Sequence, residues 1–349
     1  MVTLKNKSES VLIDSYEWPN NVTKVVPNPK VTIISLTFNK LPYIEQCIRG
    51  VLEQNNEYPF EYIIAEDYST DGTREIVKEY AEKYPNIIRV ITADYNMGIV
   101  KNQFRSVHHA RGEYIAFCDA DDYWTDHQKV KKQIAAMEIY QECNLSFHPV
   151  YLKTVGDDNM TIYKNHSSEN QIFTVEDIIT GGGDFCITSS IMIKRRILED
   201  VNEWSMTWPV NDYHTQITGA LAGGALYLNS PMAVYRKNIT GSWTEKTSAN
   251  IENKYSNILE VCKTNREFNK RTHYRHQKAF KKQEKKCLKL YFRPVYGYDR
   301  HSIQTISKLV KTKTSGLYKA NCYRTLFLSF LYYKLQFRVV LRLIRKLQS

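Results

Sequence analysis

Asp119 and Asp121 carry the clearest chemical signal in this chain. Two carboxylates one residue apart can share a hard divalent cation and leave coordination positions open for a diphosphate. They directly follow Gly112-Glu113-Tyr114-Ile115-Ala116-Phe117-Cys118, in which residues 114–118 are all apolar or aromatic. Such a run reads as a short strand buried on both faces, and the carboxyl end of a central strand is where open α/β sheets bind ligands. Taken alone, the pair reads first as an acidic turn after a strand. A second acidic pair, Glu66-Asp67, closes another strand, Glu61-Tyr62-Ile63-Ile64-Ala65, so two strands deliver acid to the same edge.

The surrounding elements must position these groups. Residues 31–37 form a first strand that ends in Phe38-Asn39-Lys40, and Pro42 sits where the first turn of a helix tolerates it. Ile44, Cys47, Ile48, Val51 and Leu52 then recur at helical spacing. The polar turn Tyr68-Ser69-Thr70-Asp71-Gly72-Thr73 opens a second helix carrying Ile76, Val77, Tyr80 and Tyr84. A strand at 87–92, the loop Asn96-Met97-Gly98, with Gly98 expected at positive φ, and a helix over 100–110 complete the alternation. This pattern predicts an α/β fold with a mostly parallel sheet flanked by helices. Past residue 127 come a helix with Val130, Ile134 and Met137, strands at 145–152, 189–193 and 225–227, and a helix from Asn211-Asp212-Tyr213-His214 to Ala222. Residues 1–29, with Pro19, Pro27 and Pro29, read as a loose lead-in, and 244–255 as a linker.

The charge is divided along the chain. Of 48 basic and 37 acidic side chains, 24 and 5 lie beyond residue 250, so the tail carries +19 and the first 250 residues −8. A basic tail of this kind is drawn to phosphates on a nucleic acid or an anionic membrane. Seven cysteines, odd in number and never in C-x-x-C spacing, argue against a disulfide framework and a zinc site and suggest reduced thiols in a cytoplasm. No signal-peptide core opens the chain, and no run approaches the roughly 18 apolar residues of a spanning helix.

Four motifs in order resemble family 2 glycosyltransferases of the GT-A fold, especially bacterial enzymes that build capsule, O-antigen or other surface polysaccharides. They are the strand ending in Thr37-Phe38-Asn39-Lys40, then Glu66-Asp67-Tyr68-Ser69-Thr70-Asp71-Gly72-Thr73, then Asn96-x-Gly98 with Asn102, then the 112–117 strand leading into Asp119-x-Asp121-Asp122. The resemblance spans about 31–243. It implies a GT-A Rossmann-like catalytic domain over 30–250, with a nucleotide-sugar half at 30–125 and an acceptor half at 126–250, followed by a basic, mainly helical C-terminal region at 251–349. It implies a nucleoside diphosphate sugar donor, most readily a UDP-sugar, and a glycan or lipid-linked sugar acceptor. Asp67 would take the pyrimidine N3–H, and Thr37 and Asn39 would line the base and ribose pocket. Asn96 and Asn102 are candidates for that pocket or for structural capping. Asp119 and Asp121 would hold Mg²⁺ or Mn²⁺ against the diphosphate. Asp212 matches the family's general base, with helix N-capping as its plain alternative, and that role implies inversion in a single displacement. Arg236 would contact phosphate or pair with a carboxylate of the body. Glu66 and Tyr68 depart from the family's Asp and Gly around Asp67, Lys40 from its Arg, and Asn238 from a His that many relatives carry.

Beyond 255 the resemblance fades. Residues 324–347 read as a basic amphipathic helix, and residues 278–289 add a cationic cluster. Together they suggest peripheral docking on the inner face of an anionic membrane, with packing on the body or on a second subunit as the alternative. No nucleic acid is expected as a partner, because no recognition motif accompanies the charge. The competing function is a basic-tailed nucleic-acid- or membrane-binding protein with a non-catalytic nucleotide-sugar domain.

Overall fold

The computed structural model describes residues 2–18, 25–55, 57–209, 211–242, 245, 251–291, 310–311, 319–320 and 322. The chain divides into two units, Met1–Gly241 and Ser242–Ser349.

The first unit opens with α1 (Val2–Ile13) and β1 (Tyr16–Trp18), then alternates β2 (Val31–Thr37), α2 (Leu41–Leu52), β3 (Phe60–Glu66), α3 (Thr73–Lys83), β4 (Ile88–Thr92), α4 (Ile99–His109) and β5 (Tyr114–Phe117). β6 (Tyr123–Trp124), α5 (Lys129–Ile139), β7 (Leu145–Phe147), β8 (Val150–Thr154), β9 (Met160–Tyr163), β10 (Gln171–Phe173) and α6 (Val175–Gly181) follow. A 3₁₀ turn at Thr188–Ser190 leads to β11 (Met192–Lys194), α7 (Arg195–Glu199), α8 (Asn202–Ser205), α9 (Asn211–Ala220), β12 (Ala225–Tyr227) and β13 (Ala233–Lys237).

Nine strands form one sheet in the order β1-β4-β3-β2-β5-β11-β7-β12-β10. The run β4-β3-β2-β5 is parallel throughout, and β7 and β12 are parallel to each other, while β1, β11 and β10 run against their neighbours. The mostly parallel sheet expected from the alternation is therefore present. Ile33, Tyr62, Ile64 and Ala116 on its strands pack with Ile44, Ile48 and Val51 of α2, Val77 of α3, and Ile134 and Met137 of α5, all fully buried. Burying each of the aliphatic side chains contributes about 1.5–3 kcal/mol. Gly112 sets β5 tight against β2, because a Cβ there would lie 2.3 Å from the Thr32 nitrogen.

Two sequence expectations are corrected. The first residues are not a loose lead-in: α1 buries Val11 with Met97 and Phe104, and β1 pairs with β4 at the sheet edge. A buried network drives that pairing, with Arg89 bridging Glu17 at 2.8 Å and Glu61 at 2.9 Å. Nor is 145–152 a single strand. It breaks at His148-Pro149, where the chain leaves the large sheet for a second one ordered β6-β13-β8-β9, since Pro149 has no N–H to donate to a ladder.

The second unit contains α10 (Ile251–Arg271) and α11 (Gln277–Tyr291). Tyr255, Leu259, Cys262 and Phe268 of α10 and Phe280 and Cys287 of α11 are buried. Lys278, Lys281, Lys282, Lys285 and Lys286 lie exposed along α11 at helical spacing. The expected basic helix at 324–347 lies outside the described residues. All seven cysteines are buried, and none is in a disulfide. Among the described residues no helix is long and apolar enough to cross a membrane.

Candidate functional site

The carboxyl ends of β2, β3 and β5 lie side by side, and each carries groups picked out from the sequence. Beyond β5 the chain continues along β2, with the Cys118 amide on the Ile34 carbonyl at 3.0 Å and the Ala120 amide on the Leu36 carbonyl at 3.4 Å. Asp119 is thereby set beside the end of β2. The Asp122 amide donates back to the Asp119 carbonyl at 2.8 Å, forming a turn that presents Asp121.

Charges of both signs converge on this turn. Lys40 Nζ lies 2.8 Å from Asp121 Oδ2. Arg236, on β13, donates from Nη1 to the Asp121 carbonyl at 2.7 Å, and its backbone amide reaches Asp122 Oδ1 at 2.9 Å. Its guanidinium lies over the rings of Tyr43 and Tyr123 and reaches Gln46 Oε1. The guanidinium of Arg236 thus contacts a backbone carbonyl, an amide oxygen and two rings, while its backbone amide meets the Asp122 carboxylate. Asp119 is pushed up to about 7 by burial, then by the charges of Asp121 and Asp212, with Lys40 and the Thr188 side chain opposing. Asp212, some ninety residues later in sequence, therefore acts electrostatically on the same turn.

Asp212 sits in the first turn of α9 and not at its cap. Burial pushes it up to about 6, with Asp184 adding to the rise and the Tyr213 amide, 2.7 Å from Asp212 Oδ1, working against it. α9 is anchored from below. Tyr213 donates to the Ile179 carbonyl at 2.9 Å, Gln216 to the Gly183 and Cys186 carbonyls, and His214 is fully buried against Trp208 and Tyr213. Trp204 packs edge-on against Trp208, so these two rings belong to the packing under α9.

At the end of β3 the geometry is different. Asp67 Oδ1 accepts the Met97 amide at 2.9 Å, Oδ2 accepts the Gly98 amide at 2.8 Å, and fully buried Arg105 stands 3.4 Å from Oδ1. A carboxylate has about four acceptor positions, so any ligand contact at Asp67 uses what these partners leave. Asn96 donates to the Asp67 carbonyl at 3.1 Å. Asn102 donates to the Ala65 carbonyl at 2.8 Å and accepts from Arg105 Nε at 2.8 Å. Asn39, at φ 52, accepts the Thr70 amide at 2.9 Å and so ties the end of β2 to the turn after β3. Thr37 lies between them, with its buried Oγ1 lacking a hydrogen-bond partner in the structure. Gly98 has the expected positive φ, 84°.

The donor set fits a hard divalent ion that also takes phosphate oxygens. Asp119 and Asp121 offer only oxygen, and their mutual repulsion is what a cation relieves. Among the described residues no group of three or more His, Cys, Asp or Glu side chains is placed to hold an ion by itself. Two participants escaped sequence reasoning. Lys40 is marked in the sequence only as a departure from a motif, and no local spacing marks Arg105.

The family model described as Glycosyl transferase family 2 matches residues 32–202. An uncharacterised protein of Mycobacterium tuberculosis is 32% identical over 222 residues, 61% of this chain and 60% of its own length. The chain thus spans about three-fifths of the length of the mycobacterial relatives it matches. A Bacillus subtilis protein named as a putative teichuronic acid biosynthesis glycosyltransferase is 37% identical over 119 residues, 34% of this chain and 46% of that one. Among solved structures, Staphylococcus aureus TarS in complex with UDP-GlcNAc matches with a TM-score of 0.51 at 16% identity, over 80% of this chain and 71% of that one. At that identity the likeness speaks for the fold.

Proposed function

Because the chain belongs to the family 2 glycosyltransferases of the GT-A fold, we propose that it transfers a sugar with inversion from a nucleoside diphosphate sugar, most readily a UDP-sugar, to a hydroxyl of a glycan or lipid-linked acceptor in bacterial surface polysaccharide synthesis. The observation that carries this reading is the electrostatic meeting of Asp212 with the Asp119-Asp121 turn. Asp212 lies close enough to Asp119 for its charge to raise the Asp119 carboxyl.

An acceptor hydroxyl is a weak nucleophile at neutral pH and needs a base within hydrogen-bond reach. Asp212 takes its proton as the hydroxyl oxygen bonds to the anomeric carbon. The bond from that carbon to the phosphate oxygen breaks, and its electron pair leaves with the diphosphate. A bound Mg²⁺ or Mn²⁺, held by Asp119 and Asp121, would neutralise charge on that leaving group. Thr37, with its unpartnered hydroxyl, and Asp67 line the nucleotide end, and Asn39 holds the loop between them. Arg236 fixes the Asp121 backbone.

In the test, Asp212→Asn loses turnover of its sugar donor by about 10²–10⁴-fold while binding UDP as the parent does. Parental turnover by that variant rejects the assignment. The exposed lysine row of α11 supports a further step, docking on an anionic membrane where a lipid-linked acceptor resides. Co-sedimentation with phosphatidylserine vesicles should weaken when these five lysines become glutamine. Unchanged co-sedimentation would remove the membrane from the reading.

A further inference from the structure

We infer that Lys40 is the resident counter-cation of the carboxylate site, and that its ammonium must give up Asp121 before a divalent ion can bind, which couples ion binding to the arrival of a diphosphate. The inference rests on the reading of Asp119 and Asp121 given above, and adds a role for a residue outside that reading.

Three features carry it. First, the pair is close and sheltered: Lys40 Nζ is 2.8 Å from Asp121 Oδ2, with the two side chains only 12% and 23% exposed. A dication drawn to Asp121 meets a positive charge one hydrogen-bond length from the same oxygen, with little water between to screen it. Second, both backbones are fixed. The Lys40 amide donates to Thr73 Oγ1 at 2.8 Å, and the next amide, of Leu41, donates to Asp71 Oδ2 at 3.0 Å. On the other side Arg236 holds the Asp121 carbonyl. The two backbones therefore stay in place, and any adjustment falls to the side chains. Third, the lysine is built to adjust. Its compact ammonium rides on a flexible four-carbon stem with three donors, and a diphosphate supplies new oxygens for those donors. Nucleotide and ion then favour each other, because each removes an obstacle to the other, and such coupling is reciprocal.

The test measures free Mn²⁺ by electron paramagnetic resonance with the full chain, with and without UDP and with no acceptor present, so no turnover is read. The parent should bind Mn²⁺ weakly alone and at least about tenfold more tightly with UDP. Lys40→Met should bind Mn²⁺ alone about tenfold more tightly than the parent and lose most of the UDP enhancement. Lys40→Arg, which keeps the charge, should stay weak without UDP; Lys40→Gln replaces the methionine variant if that one fails to fold. Affinity for Mn²⁺ alone that is no tighter in the neutral variant than in the parent overturns the inference, as does an equal gain in Lys40→Arg. Asp121→Asn separates the layers. If it leaves Mn²⁺ binding in the presence of UDP intact, the carboxylate site itself is misassigned; if it weakens that binding while the neutral Lys40 variant matches the parent, the lysine role alone falls.

Discussion

Two neighbouring strands end in carboxylates and use them in opposite ways. At the end of β3 the acids are well partnered. Glu66 accepts the amides of Ser69 at 2.6 Å and Tyr68 at 3.2 Å, and Asp67 accepts those of Met97 and Gly98 with Arg105 beside it. At the end of β5 the acids are left in conflict. Asp119 faces Asp121 and Asp212 and is held protonated to an unusually high pH. A satisfied carboxylate fixes a loop, whereas an unsatisfied one stores repulsion that a cation or a proton can release. The β3 end thus reads as scaffold and the β5 end as machinery, and each half of that contrast can be broken separately.

The largest effect is expected on the scaffold side. Asp67→Ala strands two backbone donors and the fully buried Arg105 guanidinium, and removing one partner of a buried pair costs about 3–5 kcal/mol. Urea denaturation should show that loss. A cost below about 1 kcal/mol would mean that Asp67 is not the strut of this loop. The machinery side answers to pH. Asp212 must be ionised to accept a proton and is pushed up to about 6, so kcat should fall tenfold per unit below about pH 6 and level off above it. A flat profile down to pH 5 would take the base role from Asp212.

The sequence carried the skeleton of this contrast well. β2 spans the expected residues, and the apolar runs of β3 and β5 end where their acids begin, because a strand buried on both faces favours apolar side chains. Motif order brought Asp212 into the same account as Asp119. The partners were less legible. Arg105 reaches Asp67 only because α4 turns one particular face to β3, and Lys40 meets Asp121 across 81 residues of chain through loop geometry that no local spacing encodes. The departure of the chain from one sheet to another at His148-Pro149 was hidden for a related reason. Apolar residues suit a strand in either sheet, and only the missing proline N–H marks the break.

A smaller effect tests the stored repulsion. The raised Asp119 means that the native state holds a proton that the unfolded chain has already released between about pH 4 and 7. Native stability should therefore decline as pH rises through that window. Asp119→Asn removes the conflict and should be more stable than the parent at pH 7 by about 1–2 kcal/mol in EDTA, with a flatter dependence on pH. Equal stability of the two proteins across the window would show that the β5 acids are no more strained than those of β3.

The finest test returns to the scaffold. Gly98 donates its amide to Asp67 from φ 84, and a Cβ built there meets nothing within 4 Å. An alanine at this position has room but not the conformation, so its cost comes from the backbone alone, about 1 kcal/mol. Gly98→Ala should lower Tm by a few degrees and leave the pH profile of turnover in place, because the carboxylates at the end of β5 do not depend on that amide. A shift in the acid limb of the Gly98→Ala profile would couple the two strand ends and end their separation into scaffold and machinery.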